Sequence, residues 1–299
     1  MEKFGTFGQL KYERPDFEAL KAFYEKLIGK VKNAKTYEAV KICMREEEEY
    51  SSRVSTMCTI ASIRHTVDTS DKFYEEEDKY LNRQYPEAMP YMQGFSLALL
   101  DSPFKREIDA EYGEFFLKNI KLGVDSFSEK NIQLMQEENE LVDRYQRIMA
   151  SCKISFEGEE CNLYGIKKYF SSPDRNIRKA AWKKYSEFFS SHEKEMGEIF
   201  DKLVKIRNQM GENMGFENFI KLGYMQQGRL DYDEKNVAEF RRQVEEVLVP
   251  FCSKLYEAQA KSPATRWRKT KSFLRFSISI RCGKSSVSRG TGQKNVPRH

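Results

Sequence analysis

PDRNIRKAAWKKYSEFFSSHEKEMGEIFDKLVKIRNQMGENMGFENFIKLGYMQQGR, residues 173–229, carries the longest helical pattern in the chain. Ile177, Ala181, Tyr185, Phe188, His192, Met196, Ile199 and Leu203 recur at steps of three or four, which places them on one helix face. Ser172 as N-cap and Pro173 at the first helical position supply a start, since a proline's missing N–H is not needed there. The spacing predicts one long helix from 173 to 210, loosened at Gly211 and Gly215.

Just upstream the period changes. Ile154 and Phe156 alternate with polar residues, Glu157 and Gly158 can turn, and Cys161 and Leu163 follow, so a short β-hairpin is expected over 153–163. Before it the pattern is helical throughout. Asp16 opens a helix with Phe17, Leu20, Tyr24, Leu27 and Val31 inward, and Thr36 caps a second through Val40, Met44, Val54, Met57, Ala61 and His65. The acidic run 46–49 within that helix reads as a solvated face. Asp68 to Asp71 supply turn and capping residues for a helix through Phe73, Tyr74 and Leu81, which Pro86 and Pro90 are expected to kink or end. Separate helices are expected at 92–100, 104–120 and 128–149, punctuated by Ser102–Pro103 and Gly123. Val237, Phe240, Val244, Val247, Leu248, Phe251 and Leu255 outline a last helix, bent at Pro250. The fold class is all-α: an elongated multi-helix domain over 1–262 with one short hairpin.

Composition narrows the function classes. At 299 residues, 39% hydrophobic and 13% aromatic, the chain can bury a core without staples. The longest apolar run is 97–100, and the first residues lack an apolar segment, so neither a membrane span nor a signal peptide is read and a cytoplasmic protein is expected. Six cysteines without a CxxC pair argue against a zinc ribbon or a disulfide framework.

Residues 263–299 are different in kind. They hold ten of the 51 Lys and Arg and no Asp or Glu, which leaves 41 basic against 46 acidic residues in the body. Leu274, Phe276, Ile278 and Ile280 alternate with polar residues, a strand period in a helical protein. This basic tail reads either as a segment that is irregular, disordered or out of frame, or as an arm that binds nucleic acid or an anionic membrane through its charges and Trp267, Phe273 and Phe276.

Candidate chemistry is sparse. His192-Glu193-Lys194-Glu195-Met196 approaches the HExxH zinc motif, but Met196 stands where the second histidine is needed, so His192 reads as a core or boundary residue. His65 and His299 are too far apart for a local metal motif. Gly283-Lys284-Ser285 resembles the end of a phosphate-binding loop, but Ile278 occupies the place of its first glycine. No catalytic, cofactor-binding or metal residue is assigned.

ASIRHTVDTSDKFY (61–74), QEENELVDRYQRIMASCKISFEGEECNL (136–163), SPDRNIRKAAWKKYSEFF (172–189) and IFDKLVKIRNQMGENMGFENFIKLGYMQQGRLDY (199–232) together resemble the N-terminal part of the oligoendopeptidase F family, zinc metallo-oligopeptidases related to thimet oligopeptidase. The resemblance implies helices that form one wall of a deep channel for short peptides. It also implies a second half that carries HExxH and a further glutamate around zinc, with the motif glutamate as general base. None of that motif occurs in these 299 residues. A truncated, inactive metallo-oligoendopeptidase is therefore expected, with unpaired apolar faces that favour oligomers. A non-catalytic helical binding protein with the basic tail as its docking arm is the alternative. If the family arrangement holds, residues 224–232 face the channel and Arg229 meets a substrate carboxylate; equally, Tyr224 and Leu230 pack.

Overall fold

A computed structural model describes residues 6–261. The tail readings, from the alternation at Leu274–Ile280 to Gly283–Ser285 and His299, lie outside the described residues. Eleven α-helices and one two-stranded hairpin make up the rest.

The first helix, α1 (Phe17–Asn33), starts where Asp16 accepts the Ala19 N–H at 3.0 Å, and all five of its expected inward residues are buried. Helix α2 (Tyr37–Val67) begins at Thr36, whose hydroxyl accepts the Ala39 N–H at 3.3 Å. Of the acidic run in its middle, Glu46 pairs with Lys30 at 2.6 Å and Glu47 accepts the Tyr24 hydroxyl at 2.7 Å. Asp71 caps α3 (Lys72–Leu100), and α1, α2 and α3 bury one core between them.

Pro86 and Pro90 do not end α3, which runs unbroken from Lys72 to Leu100 where two helices were expected. A proline at 86 deprives the Asn82 carbonyl of its intrahelical donor. Asn139, on α6 (Ile132–Ala150), supplies another, its side-chain N–H donating to that carbonyl at 3.3 Å, while Gln136 donates to the Arg83 carbonyl at 2.8 Å. The partner helix restores what Pro86 removes. A tertiary contact of this kind leaves no local trace in sequence.

The single helix expected over 104–120 is two, α4 (Lys105–Tyr112) and α5 (Glu114–Asp125). Gly113 separates them at φ +84°, a conformation a residue with Cβ resists, and Gly123 lies inside α5 rather than beyond it. The hairpin forms as expected: β1 (Ile154–Phe156) pairs antiparallel with β2 (Glu159–Cys161), Ile154 opposite Cys161. Its turn residues Glu157 and Gly158 both take positive φ, as a two-residue hairpin connection requires. Ile154, Phe156, Cys161 and Leu163 join Ile166 and Ala181 in a second core.

The long helix expected over 173–210 divides at His192 into α7 (Arg175–Ser191) and α8 (Glu193–Asn213). The cap of α7 is Asp174 rather than Ser172, and it accepts the Asn176 N–H at 2.7 Å. At the break, the Ser191 hydroxyl and the His192 ring Nδ1 each reach the Phe188 carbonyl at 2.8 Å. These side-chain donors satisfy a carbonyl that the backbone ladder then need not.

Helix α9 (Phe219–Gln226) packs against α8, and α10 (Glu234–Gln243) follows it. The last helical segment, expected to bend at Pro250, is continuous from Glu234 to Lys261. A π-turn over Val244–Leu248, closed by the Val249 N–H on the Val244 carbonyl, leads into α11 (Val249–Lys261). The wider turn accommodates the proline ring near the carbonyls before it. The apolar stripe is not buried among the described residues: Phe240 is 65% and Phe251 63% exposed.

Candidate functional site

Two places concentrate polar chemistry. The first is the seam where α3 meets α6. Asp143 lies between α2 and its own helix: its Oδ1 is 2.9 Å from His65 Nε2, and its Oδ2 accepts from Arg147 Nε at 2.8 Å. Arg147 Nη1 reaches Glu75 at 2.9 Å, and Lys72 and Lys79 close on the same carboxylate at 2.7 and 3.1 Å. Asp78 takes a 2.6 Å hydrogen bond from Asn82 and has no cationic partner among the described residues. Beside Asp78 and Asp143 opens a cleft of about 420 Å³, also lined by Arg83, Gln136, Glu137 and Glu140.

Environment splits the carboxylates. Hydrogen bonds from Lys72, then Arg147 and Lys79, hold Glu75 down to about 2 from its ordinary 4.5. Burial instead pushes Asp78 up from its ordinary range. A depressed acid contributes stability that is complete above about pH 4.5 and is lost as pH falls toward 2. Thermal unfolding between pH 5 and 2 should therefore show a falling midpoint. Glu75→Gln should flatten that fall; an unchanged slope would remove Glu75 from the acid response.

The second place is the segment after α9. Asn218 caps that helix, accepting the Ile220 N–H at 2.8 Å, and the Phe219 N–H donates to Asn208 of α8 at 3.2 Å. Gly228, at φ +68°, then turns the chain so that Arg229 stacks on Tyr224, 4.3 Å from the ring centroid, and on Tyr232 at 5.4 Å. No carboxylate pairs with Arg229 among the described residues. Tyr224 also packs, since its ring lies 6.4 Å from that of Tyr232. Helix α8 is itself held to the rest by Asn131, which is buried and donates to the Met210 carbonyl at 3.1 Å, and by Arg207 on Glu138 at 2.7 Å.

His192 is a boundary residue, half-buried, its ring tilted against that of Phe188 at 4.6 Å and committed through Nδ1 to a carbonyl; Glu193 beside it is exposed. These residues do not fit a zinc ion of the HExxH kind, because position 196 is methionine and the first ligand's neighbours offer no second imidazole. His65, Asp78 and Asp143 are instead what the tertiary structure assembles, with donor atoms within 4.8 Å of one another. Sequence reasoning missed them because they come from three helices, with no spacing to link them.

Residues 7–127 match the Peptidase M3 N-terminal domain. Over 85% of its length the chain resembles the N-terminal part of oligoendopeptidase F. It is similar to PZ peptidase A, solved with an inhibitor, at 36% identity over 85% of this chain and 45% of that one, with a TM-score of 0.82. A putative oligoendopeptidase F from Bacillus anthracis str. Ames is 35% identical over 85% of this chain and 47% of its own, again at 0.82. Another putative oligoendopeptidase F is 34% identical, with coverage of 85% and 45%. The chain thus spans a little under half the length of the solved proteins it matches. No curated protein sequence matches it. Among the described residues no helix is long and apolar enough to cross a membrane.

Proposed function

We propose that this chain is the channel-wall half of a cytoplasmic zinc oligoendopeptidase: it holds short peptides and does not itself supply the hydrolytic chemistry. The observation that carries this reading is the match of 85% of the chain to 45% of PZ peptidase A, joined to a histidine set without HExxH. Zinc and its general base belong, on this reading, to a second half like that of the relatives. The open stripe of α10 and α11, with Phe240, Val247 and Phe251, is the surface that second half covers. Alone, the chain should then associate with itself through the same stripe.

Arg229 is the residue that meets the peptide. Its guanidinium is oriented by two rings and lacks an acidic partner among the described residues, which suits it to a peptide's C-terminal carboxylate. The test joins hydrolysis to binding. Quenched-fluorescent peptides with zinc should remain uncleaved by the purified chain; turnover abolished by a chelator would overturn the claim of inactivity. Calorimetry should show a short peptide bound about tenfold more tightly with a free C-terminus than with an amide, as a charge-assisted hydrogen bond predicts. Arg229→Ala should erase that difference. Equal binding of both peptides by the unmodified chain would remove Arg229 from the site.

A further inference from the structure

We propose that His65, Asp78 and Asp143 form a binding site for one divalent metal ion of the zinc or manganese class, an ion that ties α2, α3 and α6 together. Their three donor atoms lie within 4.8 Å of one another, and no other such group of His, Cys, Asp and Glu occurs among the described residues. One imidazole and two carboxylates make a mixed nitrogen and oxygen set of the kind these ions accept. Bonds of about 2.0–2.2 Å need donor pairs at roughly 3.4 Å. Rotation of the Asp78 side chain, half-buried at the edge of the cleft, can close that gap.

The surroundings are built as a ligand shell would require. Each carboxylate has one oxygen oriented by a neighbour on its own helix: Asn82 holds Asp78 Oδ2 at 2.6 Å, and Arg147 Nε holds Asp143 Oδ2 at 2.8 Å. Asp143 Oδ1 has only the imidazole, 2.9 Å away. His65 is 2% exposed and its Nδ1 has no hydrogen-bond partner, so this buried ring is fixed by Asp143 alone. A metal on Nε2 would leave the ring proton on Nδ1, where no acceptor lies, a cost that the ion's bonds to the imidazole and both carboxylates must exceed.

Charge is covered unevenly: Lys72 and Lys79 join Arg147 on Glu75, Arg147 also holds Asp143, and Asp78 has no cationic partner among the described residues. A divalent ion would cover the charge of Asp78. The cleft of about 420 Å³ that opens beside Asp78 and Asp143 is its route in, with Glu137 and Glu140 as well as Lys79 and Arg83 along its walls.

The experiment uses the full chain stripped with a chelator and titrated with Zn²⁺ or Mn²⁺, with Mg²⁺ as control. One equivalent should bind, and the unfolding midpoint should rise by about 5 to 10 °C at a free ion concentration a hundred times the dissociation constant. Asp78→Asn, which can keep the Asn82 hydrogen bond, should weaken binding by about a hundredfold. A reading on the unmodified chain does not depend on any variant folding: Co²⁺ should shift the His65 imidazole resonances and leave those of His192 unchanged. No saturable binding, an equal midpoint rise in Asp78→Asn, or shifts at His192 in place of His65 would each overturn the site.

Discussion

Phe17→Ala is expected to cost about 3–5 kcal/mol of folding free energy, the range for truncating a buried aromatic side chain. Phe17 is 1% exposed at the first turn of α1, with its ring edge-to-face against Tyr80 at 5.8 Å and Tyr85 at 6.3 Å. Both tyrosines belong to α3, and Tyr80 is anchored by its hydroxyl on the Pro15 carbonyl at 3.2 Å, so the cavity cannot close by a small slide of α1. Neighbours held on two sides relax least, which puts the loss toward the upper end. In a chain of this size the unfolding midpoint should fall on the order of 10 °C. Phe200→Ala is the internal control. With 66% of its surface already in water, it should change stability by less than about 0.5 kcal/mol. Similar losses at the two positions in chemical denaturation would show that the α1–α3 core is not where stability resides.

Gly211→Ala is expected to destabilise by about 2 kcal/mol, although alanine is the better helix former. A Cβ at 211 would stand 2.4 Å from the Asn218 carbonyl oxygen, 2.7 Å from its carbon and 3.0 Å from the Phe219 nitrogen. All three are backbone atoms, so the clash can be relieved only by pushing the start of α9 away from α8. That movement would carry Tyr224 and Arg229 with it, so the preference for a free peptide C-terminus should fall with stability. Gly197, in the same helix with nothing within 4 Å of its added Cβ, gives the opposite sign. Gly197→Ala should stabilise by up to about 1 kcal/mol through helix propensity. If Gly211→Ala is also stabilising, α8 and α9 do not approach as closely as the structure has them.

These glycines show how unevenly the sequence is written. A local rule reads Gly211 and Gly215 alike, as residues that loosen a helix end. Gly215 does take φ +82°, but Gly211 is needed because another segment crosses it. The same limit appears in α3, where the rule for a broken helix was sound and the Asn139 side chain supplied the donor that Pro86 removes. It appears again at His192, where an uninterrupted apolar period conceals a break made by two side chains on one carbonyl. At the candidate sites the gap is wider. Arg229 could be named from its segment, whereas the neighbours of His65 are 13 and 78 residues away along the chain and carry no pattern.

By itself the sequence determined the all-α class, the caps at Asp16, Thr36 and Asp71, the inward face of α1 and the hairpin at Glu157–Gly158. It also determined that residues 192–196 are not a zinc motif. Each of these depends on residues within a turn or two of one another, where spacing and backbone preference decide the outcome. Only the tertiary structure decided that α3 runs through two prolines, that α7 and α8 part at His192, that the stripe of α10 and α11 is left open, and that His65, Asp78 and Asp143 meet. Those outcomes depend on partners distant in the chain, which pattern and propensity do not encode.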